Sequence, residues 1–270
     1  VGALEETVTV TGQSPVVDTQ NVRSQTVLSR TVLDALPTGK AVQAYAALTV
    51  GAVTAGAGGA MHDVGGNKGE QYGTMMIHGG RSGDGRLNHD GMRYSNNVTA
   101  TGAGFNRFWI PNQAAVQEVL IETSGMSAEA ENGGVHQNSV PKDGGNIFKL
   151  YFSATGTNEN LQSSNLTDRL RTRGLTSESK VHKIWDIGGG RGGPIKRDTL
   201  WFYMAHRWWG SQENYAGLFH NKTQGTPFYT PDLYRSHFNQ DWLRSQSVRI
   251  TAQVSQKNRV NGCADPQYFQ

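Results

Sequence analysis

Cysteine is nearly absent: Cys263 is the single one in 270 residues. A lone thiol excludes an intrachain disulfide framework and a cysteine zinc cluster, and it leaves the redox compartment open. Long apolar runs are missing too, and no segment approaches the roughly 18 apolar residues of a membrane-crossing helix. The N-terminus, VGALEETVTV, has neither an initiator methionine nor the charged and apolar regions of a secretory signal. Together with a C-terminus that stops just past a strand-like segment and a turn, this makes a piece of a longer chain the expectation. Net charge is only +3, and basic residues are dispersed apart from RLRTR at 169–173. The dense basic stripe of a nucleic-acid groove is therefore lacking, and no nucleic-acid partner is expected. The hydrophobic fraction, 36%, falls below the roughly 45–50% of soluble domains. Glycine supplies 34 residues, which favours turns, bulges and short strands over a dense helical core.

Motifs for chemistry are equally scarce. GGGRGG at 188–193 lacks the lysine and hydroxyl residue, and the following helix, that a phosphate loop needs. His62, Asp63, His78, His89 and Asp90 show no metal-ligand spacing, so neither a metal nor a cofactor is expected. No serine sits in a nucleophile elbow and no carboxylates are poised as a pair, so the chain does not read as an enzyme.

What is present falls into three parts. Residues 1–17 carry an alternating β-prone stretch, TVTVTG, broken by Ser14-Pro15, and read as a terminal arm. Residues 18–143 read as a small α+β domain. Ser29 opens a helix over RTVLDAL, and KAVQAYAAL at 40–48 predicts a second. Residues 51–73 form a low-complexity loop. TMMIHG and EVLIET predict strands, Asn112 caps a short helix, and RLNHDGMRY predicts two short strands about an Asp90-Gly91 turn.

From residue 144 onward the pattern is strands alone. Ile147–Ala154, Lys183–Gly190, Thr199–Trp209 and 247–255 are the predicted strands, with tight turns at 192–198 and QKNR, and a long polar loop over 210–242. One face of each strand is apolar: Phe148, Leu150 and Phe152; Leu200, Phe202, Met204 and Trp208; Val248, Ile250, Ala252 and Val254. His206 interrupts the second set. Few apolar segments remain to cover those faces. Strands of about ten residues, apolar on one side, with short turns alternating with long polar loops, are the pattern of an outer-membrane β-barrel whose apolar side meets lipid.

These residues resemble a TonB-dependent outer-membrane receptor of the Oar-like type. LEETVTVTG, VLDALPTGK, MMIHGGRSGDGRLNHDGMRY, VQEVLIETSGMSAEAENGGVHQNSVPKDGGNIF and GGGRGGPIKRDTLWFY follow the family's order across nearly the whole chain. Asn88-His89 and the proline in SVPKDGGN depart from the family's pattern. The resemblance implies an α+β plug domain (18–143) followed by antiparallel transmembrane β-barrel strands, an incomplete barrel whose first four to five strands occupy 144–270. The family's barrel has 22 strands and a plugged lumen.

It further implies TonB and its inner-membrane energising complex as partners, outer-membrane lipid around the wall, and uptake of a scarce solute, oligosaccharide or peptide. The expected TonB box is Glu6, Thr7, Val8, Thr9 and Val10, a free strand able to pair with a partner's sheet edge. Arg81, Asp84, Arg86 and Asp90 are the expected polar contacts between plug and wall. Arg93, Tyr94, Asn96 and Asn97 are expected to meet ligand. The alternative is a secreted β-rich adhesion or carbohydrate-binding module, with 145–270 a soluble sandwich.

Overall fold

A computed structural model describes residues 24–35, 45, 48–55, 74–81, 84–94, 109–126, 130, 133–175 and 177–269. Two sheets dominate it. The first has five strands in the order β1-β6-β7-β4-β5: β1 (Ser24–Ser29), β4 (Arg86–His89), β5 (Met92–Arg93), β6 (Val116–Ser124) and β7 (His136–Pro141). Its neighbours are antiparallel except β4 and β7, which run parallel. Helix α1 (Arg30–Ala35) follows β1 directly, and β2 (Ala52–Ala55) pairs with β3 (Thr74–Ile77). Leu28, Leu33, Tyr45, Met75, Ile77, Val116, Val119, Ile121 and Val135 form one buried apolar cluster. In β6 the alternation of VQEVLIET places Val119 and Ile121 inside that cluster.

The second sheet is an antiparallel meander in the order β8-β9-β10-β11-β12: β8 (Lys149–Asn158), β9 (Lys180–Lys196), β10 (Leu200–Asn221), β11 (Pro231–Gln253) and β12 (Arg259–Ala264). A short β13 (Gln267–Phe269) also pairs with β11, and α2 (Asp168–Thr172) lies between β8 and β9. Tight turns at 197–199 and 254–258 close one end. The other end carries the 159–179 connection and the tip of the β10–β11 hairpin. At that tip the Asn221 side-chain oxygen accepts from Thr223 N, Thr223 Oγ1 and Thr230 N at 3.1, 2.9 and 2.8 Å.

Burial on these strands is inverted relative to a soluble sheet. Tyr203, Ala205, Arg207, Trp209 and Ser211 are buried on β10, and Leu243, Ser245, Arg249 and Thr251 on β11. The apolar alternates are the exposed ones: Phe148 55%, Leu150 82%, Phe152 70% and Met204 47%. His206 is exposed on that same outward face. The buried faces point toward the first sheet and the segment before β6.

Several expectations need correction. The polar stretch 210–242 is not a loop: most of it belongs to β10 and β11, strands of 22 and 23 residues. Side chains there lack an apolar face because neither side of the hairpin is buried over 215–239, so periodicity vanishes while backbone pairing continues. β8 starts at Lys149 rather than Ile147 and β9 reaches from Lys180 to Lys196, beyond the predicted limits. Ala52–Ala55, assigned to the 51–73 loop, is strand β2, paired with β3, and Ala52 packs against the buried cluster. Most of the 40–48 helix and residues 56–73 lie outside the described residues.

Candidate functional site at the junction of the two sheets

The polar groups of the first sheet meet the buried face of the second at three places. The first is built on the Asp90-Gly91 turn. Both residues have positive φ, 52° and 78°, as a two-residue hairpin turn requires, and the turn projects the Asp90 carboxylate. Arg249 donates from Nη1 to Asp90 Oδ2 at 2.7 Å and from Nε to Asp143 Oδ1 at 2.7 Å. Thr251 Oγ1 donates to the same Asp143 oxygen at 3.0 Å, and Arg259 Nη2 to Asp143 Oδ2 at 2.9 Å. Two carboxylates and two guanidiniums thus balance across β11, β12, the turn and the connector that leads into β8. That connector is held close. A side chain at Gly144 would collide with the Phe202 carbonyl oxygen, and Asn146 accepts from Asp198 N at 2.9 Å and Trp201 Nε1 at 2.7 Å.

The second place centres on Arg30 and Lys142. Arg30, the first residue of α1, donates to the Gln113 and Val116 carbonyls at 2.8 and 3.1 Å and to Tyr151 Oη at 3.1 Å, and it pairs with Asp34. Burial alone would lower the Arg30 pKa; the bonds to Asp34 and the nearby Tyr151 outweigh it, and the net direction is upward. The Lys142 ammonium lies over the Tyr151 ring at 4.1 Å and the Tyr203 ring at 5.5 Å. Tyr203 Oη donates to the Ala114 carbonyl at 3.0 Å. The glycines of GGGRGG explain how Tyr203 fits. A Cβ at Gly190 would sit 2.5 Å from Tyr203 Oη, and one at Gly192 2.5 Å from its Cδ2. The run is a slot in the wall for the tyrosine that holds the 113–115 turn.

The third place ties residues 110–112 to β11 and β13. Asn112 caps the 113–115 turn through Ala114 N (3.0 Å) while its Nδ2 donates to Ser245 Oγ at 3.0 Å. Ser245 donates on to Asp265 at 2.5 Å. Gln267 engages the backbone of Ile110 twice, accepting from N at 3.0 Å and donating to O at 2.6 Å. Beneath them Arg207 makes a two-bond pair with Asp186 at 3.0 and 2.8 Å, its guanidinium 4.3 Å from the Trp209 ring centre.

Of the residues expected at such contacts, Asp90 meets the long-stranded sheet. Arg81 and Asp84 bond each other within one turn, Arg81 N donating to Asp84 Oδ2 at 3.3 Å. Arg86 donates to Asn88 Oδ1 at 3.1 Å on its own strand. Arg93 closes β5, where burial and then the neighbouring Arg86 push its pKa down. Tyr94 rests edge-on against Trp109, 4.9 Å between ring centres. Asn96, Asn97 and the stretch Glu6–Val10 lie outside the described residues. Sequence reasoning missed Arg30, Lys142, Asp143, Arg249 and Gln267. The one available signal was charge on the polar side of otherwise regular strands, at Arg207 and Arg249. Among the described residues there is no cluster of three or more potential metal ligands, and no helix is long and apolar enough to cross a membrane.

No known family profile matches the chain. Over 92 residues it is 33% identical to the TonB-dependent transporter Oar of Myxococcus xanthus, a match covering 33% of this chain and 9% of that protein. Its fold is similar to that of the ferric yersiniabactin uptake receptor FyuA of Yersinia pestis, with TM-score 0.55, 13% identity, and coverage of 92% of this chain and 32% of the receptor. The ferric enterobactin receptor PfeA of Pseudomonas aeruginosa is similar to the same degree, with TM-score 0.54, 11% identity, and coverage of 92% and 33%. The chain thus spans about a third of the length of these receptors. The relatives are transporters and receptors, not enzymes.

Proposed function

We propose, from a chain that is related in sequence to a TonB-dependent transporter and carries the fold of TonB-dependent receptors, that residues 18–143 act as the plug and 144–270 as the first wall strands of such a receptor. The whole would take a scarce solute across the outer membrane of a Gram-negative bacterium, with the plug on the periplasmic side and with energy delivered by TonB. One observation carries this reading. The long strands and the residue before them turn Phe148, Leu150, Phe152 and Met204 outward and exposed, and turn Arg207, Ser245, Arg249 and Thr251 inward and buried. A soluble sandwich would bury the first group. A barrel wall turns it to lipid.

The junction suits a plug that must leave and return. Its contacts are ion pairs, hydrogen bonds and cation–ring contacts, which water replaces at moderate cost. Arg81 and Asp84 stiffen a turn of the plug and Arg86 its strand β4 in this reading, while Asp90 fastens it to the wall. Ligand contact falls to Arg93, Tyr94, Asn96 and Asn97. The neighbours' ferric chelates make an iron-chelate ligand one option beside oligosaccharide and peptide. Glu6–Val10 would pair with TonB by strand addition.

The test is fractionation of the gene product in a Gram-negative host. It should appear in the outer membrane and migrate differently before and after heating. Recovery in the soluble fraction without detergent overturns the proposal. Deleting residues 6–10 should abolish energised uptake and leave membrane insertion intact; continued uptake would remove TonB coupling through that stretch.

A further inference from the structure

The outward face of the wall changes character toward the long-hairpin end. Strand pairing sets its rows: Phe202 stands opposite Ile250, Met204 opposite Val248, Trp208 opposite Arg244, and Gly210 lies between Trp185 and Trp242. Paired residues share a face, so these rows all point outward. Eight residues separate Phe202 from Gly210. At about 3.3 Å per residue and a tilt near 40°, that is roughly 20 Å of height. The lower rows are therefore aliphatic and aromatic, and the upper rows reach the far boundary of the apolar band, about 25 Å tall in such walls.

At that boundary three indoles and two cations assemble. Trp185 and Trp208 meet edge to face at 5.5 Å. Gly210 makes room for this: a Cβ there would stand 2.7 Å from the Trp185 ring and 2.8 Å from Trp242 Cβ. The Arg244 guanidinium lies 5.8 Å from the Trp208 ring and 5.7 Å from the Trp242 ring, and the Lys183 ammonium 5.1 Å from the Trp185 ring. Over 180–190, 205–214 and 239–248 the acidic residues, Asp186, Glu213 and Asp241, stand at inward positions, so the outward rows there carry none. Trp185 Nε1 is buried within the cluster. Beside Trp185 and Lys183 opens a cleft of about 530 Å³ that Gly156 also lines. The nearest acid there, Glu159, faces His182 at 3.6 Å.

We propose that this patch is a binding site for the phosphate headgroup of an anionic lipid in the leaflet on the long-hairpin side. The inference rests on the membrane-wall reading above. Lys183 supplies a point charge and Arg244 a planar fork, the donors a phosphomonoester takes up. The indoles stand at the interface, where acyl chains begin. A soluble phosphate compound does not fit the place, because the patch continues directly into the lipid-facing band.

The experiment uses the full membrane-inserted gene product, purified in detergent and offered dioleoyl phosphatidic acid or dioleoyl phosphatidylcholine, with retained lipid counted by native mass spectrometry. The wild type should hold phosphatidic acid with about tenfold preference, and K183Q/R244Q should bring this to within about twofold. R191Q, which alters an outward cation beside Phe148 near the opposite boundary, should keep the preference. Equal loss in R191Q, or no preference in the wild type, overturns the site while leaving the wall reading intact. A product that never enters the membrane overturns both.

Discussion

Arg249 is the most informative residue to remove. Its side chain is 6% exposed and carries two carboxylates, Asp90 and Asp143, each 33% exposed. Breaking a fully buried pair by deleting one partner costs roughly 3–5 kcal/mol, and an exposed pair about 0–1 kcal/mol. Here the guanidinium is buried and both acids reach water, so Arg249→Met should cost about 2 kcal/mol, between the two regimes. The effect should be local. Amide hydrogen exchange across 86–93 should quicken about thirtyfold. Exchange in 116–124, inside the first sheet's own apolar core, should stay within about twofold of wild type. Asp90→Asn leaves Arg249 bonded to Asp143 and should cost about 1 kcal/mol. In the double variant the two effects should fall short of additivity by about that amount. Unchanged exchange at 86–93 in Arg249→Met, or equal acceleration in 116–124, would refute the assignment of this pair as the fastening of the turn to the wall.

Other outcomes follow from the same geometry. Gly190→Val should displace Tyr203 from its slot and lose about 1–3 kcal/mol by overpacking, read as a lower temperature for loss of the folded electrophoretic form; the reasoning fails if Tyr203→Phe, which removes only the bond to Ala114 O, costs as much. Burial, with Arg249 adding to it and Asp90 opposing, lowers the His89 pKa below its ordinary 6.5. The opened turn therefore binds a proton more readily, and protection of 86–93 should be complete above pH 6.5 and decline as pH falls toward the lowered value, by at most ~1.4 kcal/mol per pH unit. A flat profile in wild type, or an unchanged slope in His89→Gln, would contradict this. The isolated 270-residue chain should aggregate in water, because β8 and β12 end the second sheet and Leu150 and Phe152 are 82% and 70% exposed. A monodisperse monomer by light scattering would speak against it.

The outward apolar face was legible because it depends on a period of two. Leu200, Phe202, Met204 and Trp208 announce a face regardless of what the face meets. The Asp90-Gly91 turn was legible for a local reason, since few dipeptides tolerate two positive φ values. The partners of that turn were not. Asp90 and Arg249 are 159 residues apart, and nothing local to either predicts the contact; only the register of β11 turns Arg249 inward. The long hairpin failed for the opposite reason. Its pairing is carried by backbone groups, which every residue has, so QENYAGLFHN and PDLYRSHFNQDW look like a loop although they form a ladder. GGGRGG was legible as glycines in a strand, but its purpose depended on a tyrosine one strand away.

The distribution of apolar residues says how the two sheets can part. The first sheet holds its core in one cluster, from Leu28 to Val135, to which no residue of the long strands contributes. Among the described residues, the apolar clusters against the second sheet are small: Ala114 and Ala115 with Tyr203 and Ala205, and Ile110 with Trp209 and Leu243. Separation would therefore expose little apolar surface and leave the first sheet's own core intact. The chief resistance lies in charges and hydrogen bonds, and these are unevenly placed along the chain. Arg30 sits one residue past β1 and ties α1 to the Gln113 and Val116 carbonyls and to Tyr151 of the wall. A pull from the N-terminal arm would load β1, an edge strand, and then Arg30, before reaching Asp90. On the proposed coupling by TonB, Arg30→Met should lower the force at which β1 leaves β6 and leave the Asp90–Arg249 contact undisturbed. Single-molecule pulling from the N-terminus, with cross-linking at 90 and 249 as the second readout, would detect either result. Loss of both contacts together in Arg30→Met would mean that the sheet leaves as one body.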